Sequence, residues 1–264
     1  MSRATKAQAP ATRAVWLDAL RGLAMVWMTL FHFCFDLSYF GALKTNFYQD
    51  PFWTMQRSAI VSLFLVCVGA SQILAQQQGQ TASRFWRRWM QIALCALAVS
   101  VGSWLVFPTS YIYFGVLHGI AVMLLIVRFV PMNQTARWAL GAAALIAPTL
   151  ALQAHTSGAL SAALDGRAWN WLGLVSHKPV TEDYVPLLPW LGVVLWGQAA
   201  LLWLLQRQPD ALHDGNARWQ STALRPALRG LSVLGRWSLS YYMLHQPLLF
   251  GVVLGAVTLF GWGR

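Results

Sequence analysis

Charge is what this sequence has least of. Only 10% of its 264 residues are Asp, Glu, Lys or Arg, whereas 57% are hydrophobic, and the mean hydropathy is +0.49. A water-soluble domain of this length would lack the charged surface it needs, so lipid is the solvent that the composition implies. Acids are the scarcer sign, 8 against 19 Lys and Arg. The net charge of +11 raises nucleic acid or an anionic surface as partners. The basic residues, however, fall in the gaps between apolar runs, and membrane topology accounts for them without a nucleic acid. Cysteine is scarce as well. Cys34, Cys67 and Cys95 each lie inside an apolar run, where a free Cys behaves as a small apolar residue, so no disulfide framework is implied. The spacings H-E-x-x-H, C-x-x-C and C-x-x-C-H are missing, which leaves a metal or haem site without a motif. No internal repeat is visible, so a transporter built from duplicated halves gains no support.

What the sequence does have is apolar runs of membrane-crossing length, about 20 residues. They begin around Val15, Arg57, Trp86, Tyr111, Arg137, Leu187 and Leu234. The fold class expected is an all-α polytopic membrane protein of about seven transmembrane helices. Arg3, Lys6, Arg13, Arg84, Arg87, Arg88, Arg128, Arg137, Arg207, Arg218, Arg225, Arg229 and Arg236 fall in segments on one side. Only Lys44, Arg57, Arg167, Lys178 and Arg264 fall on the other. That bias predicts an N-in, C-out orientation. The first run is too long for a signal-peptide core and contains Asp18 and Arg21, so it reads as an uncleaved span behind a flexible cytoplasmic tail, residues 1–13. The chain reads as one domain, 1–264. Its longest outer connection, from about Gln153 to Pro186, is a lid candidate. The inner connection from Gln206 to Gly230 reads as a solvated linker. Trp16, Trp53, Trp86, Trp190 and Trp237 fit interfacial belts, while Gly115-x-x-x-Gly119 and Gly251-x-x-x-Gly255 are close-packing motifs.

The first span carries the chemistry. At about 3.6 residues per turn, Asp18, Arg21, Met25, Thr29, His32 and Asp36 share one face. Ionisable groups in a membrane are costly and usually face the protein interior or a water-filled cavity, so a cavity is expected along this helix. Asp18 and Arg21, three apart, form either a structural ion pair or a holder for an anionic ligand. His32 and Asp36, four apart, suit a general base with an orienting carboxylate; the alternative is a His satisfied by a carbonyl or water. His118 lies at a comparable depth and either lines the same cavity or serves structure. His245 precedes Pro247, which cannot donate to the Met243 carbonyl and is expected to kink the last helix. Glu182 and Asp183 are by default solvated loop acids.

Several segments resemble a known family. They are Trp16 to Ala24, Leu30 to Leu37 and Tyr39-Phe40-Gly41, then Arg84 to Trp89, Tyr113 to His118, Asp183 to Trp190 and Ser238 to Pro247. In order and over nearly the whole chain, these resemble bacterial membrane proteins grouped with the catalytic domain of heparan-α-glucosaminide N-acetyltransferase. The Arg-Gly-x-Ala start with a His eleven residues after the Arg is also similar to the first helix of broader transmembrane acyltransferase families.

The resemblance implies a multi-pass protein of the bacterial inner membrane. Such an enzyme would move an acyl group, acetyl foremost, from cytoplasmic acetyl-CoA or another acyl-CoA to a hydroxyl or amine acceptor, a sugar foremost, at the outer side. It implies His32 as the catalytic base with Asp36 orienting it, and Arg21, Asp18, Arg84, Arg87 and Arg88 on the donor path. His118, Arg57, Asp183, Trp190 and His245 are candidates for the acceptor side. No metal is expected, and a homodimer is one expected form. Two other classes stay open: a proton-coupled carrier using the stripe as a relay, and a structural or cofactor-binding subunit with His118 and His245 as ligands.

Overall fold

The structure, a computed structural model, describes residues 14–211 and 224–261. The sequence-predicted tail 1–13 and part of the Gln206–Gly230 linker lie outside the described residues. Eight α-helices occur among those described: α1 Val15–Tyr39, α2 Pro51–Gln77, α3 Ala82–Val106, α4 Val116–Phe129, α5 Gln134–Thr156, α6 Leu187–Arg207, α7 Arg225–Arg236 and α8 Ser238–Phe260. Six of these are long and apolar enough to cross a membrane, and α4 is a shorter apolar helix. The protein is thus an all-α, multi-pass membrane protein; six of the seven expected spans are helices of crossing length among the described residues, and the shorter α4 stands where the fourth was expected.

Local chemistry sets where the helices start. Asp50 accepts from the Phe52 amide at 2.9 Å, with Pro51 in the first turn of α2. Asn133 accepts from the Ala136 amide at 2.7 Å at the head of α5. Such caps satisfy amides that a helix leaves without internal partners. The chain then alternates direction. One end of the bundle collects the start of α1, the end of α2, the start of α3 and the end of α4, with Arg84, Arg87, Arg88 and Arg128; it is called the basic end below. The opposite end, the lid end, carries the connections 40–50, 107–115 and 157–186.

Expected and observed boundaries differ by several residues: α2 begins at Pro51 rather than around Arg57, and α3 at Ala82 rather than around Trp86. The fourth span does not begin at Tyr111. Residues before Val116 are extended and pair with the strand-like stretch before α6, through Glu182 N–H to Ser110 O (2.9 Å) and Val185 N–H to Phe114 O (3.2 Å). The backbone groups of an irregular segment find partners there that helix would otherwise provide. The last span does not begin at Leu234 either, because the helix breaks at Trp237 into α7 and α8.

The core centres on α4, whose Leu117, Ile120, Met123 and Leu124 are buried among residues of α2, α3 and α6. Because lipid is as apolar as these side chains, tight packing rather than water exclusion holds the helices together. Small residues mark the closest contacts. A Cβ at Gly69 of α2 would lie 2.1 Å from the Val194 carbonyl oxygen of α6, and one at Gly235 of α7 would lie 1.8 Å from that of Asp18. Gly22 meets Leu231 in the same way. Of the two sequence motifs, Gly119 is packed under Val185, whereas Gly251 and Gly255 face open space among the described residues. The second motif is therefore not a packing seam here.

Candidate active site

The polar stripe of α1 does fall on one face, and its partners are on α2, the α7–α8 junction and α8. At the basic end, the Arg21 guanidinium donates to Asp18 Oδ1 (2.8 Å), to Ser71 Oγ of α2 (2.7 Å) and to the Gly235 carbonyl (3.3 Å). Asp18 is buried and Arg21 largely so. A charge held on three elements at once fixes the register of α1 against both sides of the bundle. Higher up, Thr29 Oγ1 and Tyr241 Oη are 2.6 Å apart, His32 Nδ1 and His245 Nε2 are 2.8 Å apart, and Gln246 Nε2 donates to Asp36 Oδ1 at 2.8 Å. Three rungs in a row thus join α1 to α8.

The His32–His245 rung has a defined proton arrangement. His245 Nδ1 lies 2.7 Å from the Tyr242 carbonyl, which can only accept, so Nδ1 carries the proton. A neutral His245 then has a bare Nε2, and this must accept from the Nδ1–H of His32. The rings are nearly coplanar, 18° apart with centroids 5.0 Å apart, as an edge-to-edge hydrogen bond requires. His32 is left with an unprotonated Nε2 that has no hydrogen-bond partner among the described residues. Tyr241 lies parallel to His245 (9°), and Phe31 packs edge-on against His32, holding both rings in place.

Asp36 is placed differently from expectation. It is fully buried and bonded to Gln246, its Oδ2 has no partner, and it makes no contact with the His32 ring. The orienting partner of His32 is His245. His118 also differs from a free cavity His. Its Nδ1 accepts from the Gly115 amide (3.2 Å), and its Nε2–H faces Ser100 Oγ (3.0 Å), which in turn donates to the Ile112 carbonyl (2.7 Å). Both ring nitrogens are committed to holding the start of α4 against α3.

At the basic end, Arg84 and Arg87 are exposed on the first turns of α3. Arg88, bonded to Gln91 at 3.3 Å, lies close enough to Arg21 for its charge to act on it. At the lid end, the two loop acids are built in rather than solvated. Glu182 accepts from Tyr48 (2.9 Å) and Ser110 (2.6 Å), and Asp183 accepts from the Val116 amide (2.8 Å) at the head of α4. Burial raises the Asp183 carboxyl above its ordinary range, against the pull of that amide and of the Arg57 and Lys178 charges. The charge of Asp183 in turn reaches Tyr242, the neighbour of His245 in the seam. Arg57 makes no hydrogen bond or ion pair among the described residues. Trp190 packs on the α4 core and borders a cavity under the 173–178 stretch. That stretch is pinned by Asp165, which accepts from the Ser176 amide and hydroxyl (2.7 and 2.8 Å); these bonds hold its carboxyl below the usual range. Gly173, at φ +88°, gives the close turn beside the Leu188 carbonyl that a side chain would block.

Sequence reading missed Tyr241, Gln246 and Ser71. The signal for Tyr241 was available in its four-residue spacing to His245, which puts both on one helix face. Nothing local marks Ser71. Among the described residues, no group of three His, Cys, Asp or Glu converges as a metal-ligand set.

Comparison with curated proteins and with solved structures gives no match. A family model does match, and over most of the length: "Heparan-alpha-glucosaminide N-acetyltransferase, catalytic" covers residues 13–247, from the cap of α1 to the proline that follows the His245–Gln246 pair. A membrane protein whose first and last helices meet in a polar seam within that span belongs to the family of the heparan-alpha-glucosaminide N-acetyltransferase catalytic domain.

Proposed function

We propose that the protein is an acyltransferase of the bacterial inner membrane that moves an acyl group, acetyl by preference, from a cytoplasmic acyl-CoA to a hydroxyl or amine at the opposite face, a sugar acceptor fitting best. The family supplies the transferase class. The observation that carries the reading at residue level is the bare Nε2 of His32, held by a second histidine whose own proton is fixed on a backbone carbonyl. An imidazole with one nitrogen donated away and the other free is arranged to accept a proton.

By the positive-inside rule the basic end faces the cytoplasm. Arg84 and Arg87, exposed there, and Arg88 beside Arg21 suit the phosphates of a coenzyme A donor. The acceptor enters from the lid end, past Arg57 and Asp183. His32 Nε2 takes the acceptor proton as its oxygen or nitrogen attacks the thioester carbonyl. The C–S bond breaks, and the thiolate of coenzyme A leaves with the proton returned by the imidazolium. The products are the acylated acceptor and free coenzyme A. His245 shares the imidazolium charge in transit.

A proton-coupled carrier draws less support from the same seam. Its hydrogen-bond chain ends on the Tyr242 carbonyl, which accepts a proton's hydrogen bond but cannot pass the proton on. The test is transfer of radiolabelled acetyl from acetyl-CoA to an amine or sugar acceptor by the purified chain in detergent. Transfer by the native chain and none by His32→Ala, with donor binding retained, supports the assignment. A fully active His32→Ala protein overturns it.

A further inference from the structure

Helix α7 has two unlike sides. At 100° per residue, Arg225, Arg229 and Arg236 lie within about 40° of one another, in single file along one side. Leu231, Leu234 and Gly235 take the other. Gly22 meets the Leu231 backbone, a Cβ at Gly235 would meet the Asp18 carbonyl, and Leu234 packs with Met25 and Met28. The apolar side is therefore spent on α1, and the arginine side faces outward. All three Arg are exposed.

No acid answers these charges. α7 contains no Asp or Glu. Among the described residues the ion pairs found are Arg21–Asp18 and His177–Asp165, and the guanidiniums of Arg225, Arg229 and Arg236 make no hydrogen bond there. The positive-inside bias places Arg at one end of a bundle in any arrangement. A single file on a helix clamped to α1 is more than that bias requires. Beside the file, Val233 is exposed, and so is Trp237 at the break before α8. Bulk water favours neither side chain. A headgroup layer suits the whole surface, with the indole and isopropyl groups toward the acyl chains and the guanidiniums toward phosphate.

We infer that α7 is a docking surface for anionic phospholipid headgroups in the leaflet at the basic end, with Arg225, Arg229 and Arg236 on the headgroup phosphates and Val233 and Trp237 at the acyl boundary. Guanidinium forks match phosphate oxygens in pairs. At 1.5 Å per residue the file is about 16 Å long, so it reaches across neighbouring headgroups. Lipid held there steadies the helix whose Gly235 carbonyl accepts from Arg21 (3.3 Å) and so closes the polar end of α1. The inference does not depend on the acyl-transfer reading.

The test counts bound lipid. The full chain in dodecyl maltoside is titrated with phosphatidylglycerol or with phosphatidylcholine, and the lipids retained are resolved by native mass spectrometry. Phosphatidylglycerol should bind at least about 10-fold tighter than phosphatidylcholine. Replacing Arg225 and Arg229 by Gln should weaken phosphatidylglycerol by about 5-fold for each arginine and leave phosphatidylcholine unchanged. Replacing the same two by Lys keeps the charge and should hold the affinity within about 3-fold. Arg84→Gln with Arg87→Gln removes as much charge from the same end, on α3, and should change it less than about 2-fold. Equal losses from the α3 and α7 pairs would mean a diffuse basic end and would overturn the inference. Phosphatidylcholine binding as tightly as phosphatidylglycerol, or the Lys pair losing as much as the Gln pair, would overturn it too. So would displacement of phosphatidylglycerol by an equal concentration of inorganic phosphate or coenzyme A, since the site would then be one for soluble phosphates.

Discussion

His32 and His118 sit in helices of the same bundle, each in hydrogen-bond contact with a neighbouring helix, and they end with opposite capacities. His118 has given both nitrogens to the fold, one to the Gly115 amide and one to Ser100. His32 has given one, to another histidine, and keeps the other. The residue type is the same, so it does not distinguish a working histidine from a structural one. The count of unspent ring nitrogens does.

The sharpest way to break that contrast is to remove each ring. His32→Ala should reduce acetyl transfer by about 10²-fold or more, the ordinary contribution of a general base. His118→Ala should leave the rate per folded molecule within a few-fold; an equal loss from both variants would erase the distinction. Next in size is His245→Ala, which frees the tautomer of His32 and should slow transfer by about 10-fold. His245→Gln, whose carbonyl can accept from His32 Nδ1–H, should recover part of the rate and shift the acidic limb of the pH–rate profile. If Ala and Gln behave alike, His245 does not position His32.

The structural side predicts a smaller change. His118→Ala strands the Gly115 amide and removes the donor to Ser100 Oγ, at a cost of about 1–3 kcal/mol, read as a lower midpoint in thermal unfolding of the detergent-solubilised chain. Unchanged stability would mean that the His118 contacts contribute nothing. The smallest effect belongs to the lid. The Asp165 carboxyl is held below its usual value by the Ser176 hydrogen bonds, so its contribution is fully present above the unfolded value near 3.8 and disappears as pH falls through the lower folded value. Amide exchange at Ser176 should therefore rise in acid in the native chain. Asp165→Asn should raise it at neutral pH, with His32-dependent transfer little altered.

Much of this was legible in the sequence, and for identifiable reasons. Helix periodicity put Asp18, Arg21, Thr29, His32 and Asp36 on one face because the period is a property of the backbone. Hydropathy located the spans, since lipid forces backbone bonds to close within helices. Partner choice was not legible. Asp36 and His32 are four apart, yet each bonds to α8 instead, because α8 packs against that face and offers Gln246 and His245 in register. Glu182 and Asp183 look like loop acids, but the chain before α4 stays extended and pairs with theirs, which brings Ser110 and the Val116 amide to them. Such pairings depend on segments far apart in sequence, and no local pattern encodes them.

The rung between His32 and His245 spans 213 positions, and the contact of Gly22 with Leu231 is nearly as distant. This separation sets a timetable. During synthesis, α1 enters the bilayer with a buried carboxylate, a guanidinium and an imidazole whose partners on α7 and α8 have not yet been made. The bond of Arg21 to Asp18 forms within α1, and the Ser71 bond follows with α2. The first helix must wait for the last tenth of the chain before its polar groups are satisfied. A chain cut short before Gly235 therefore lacks the α7 and α8 partners of Arg21, Thr29, His32 and Asp36.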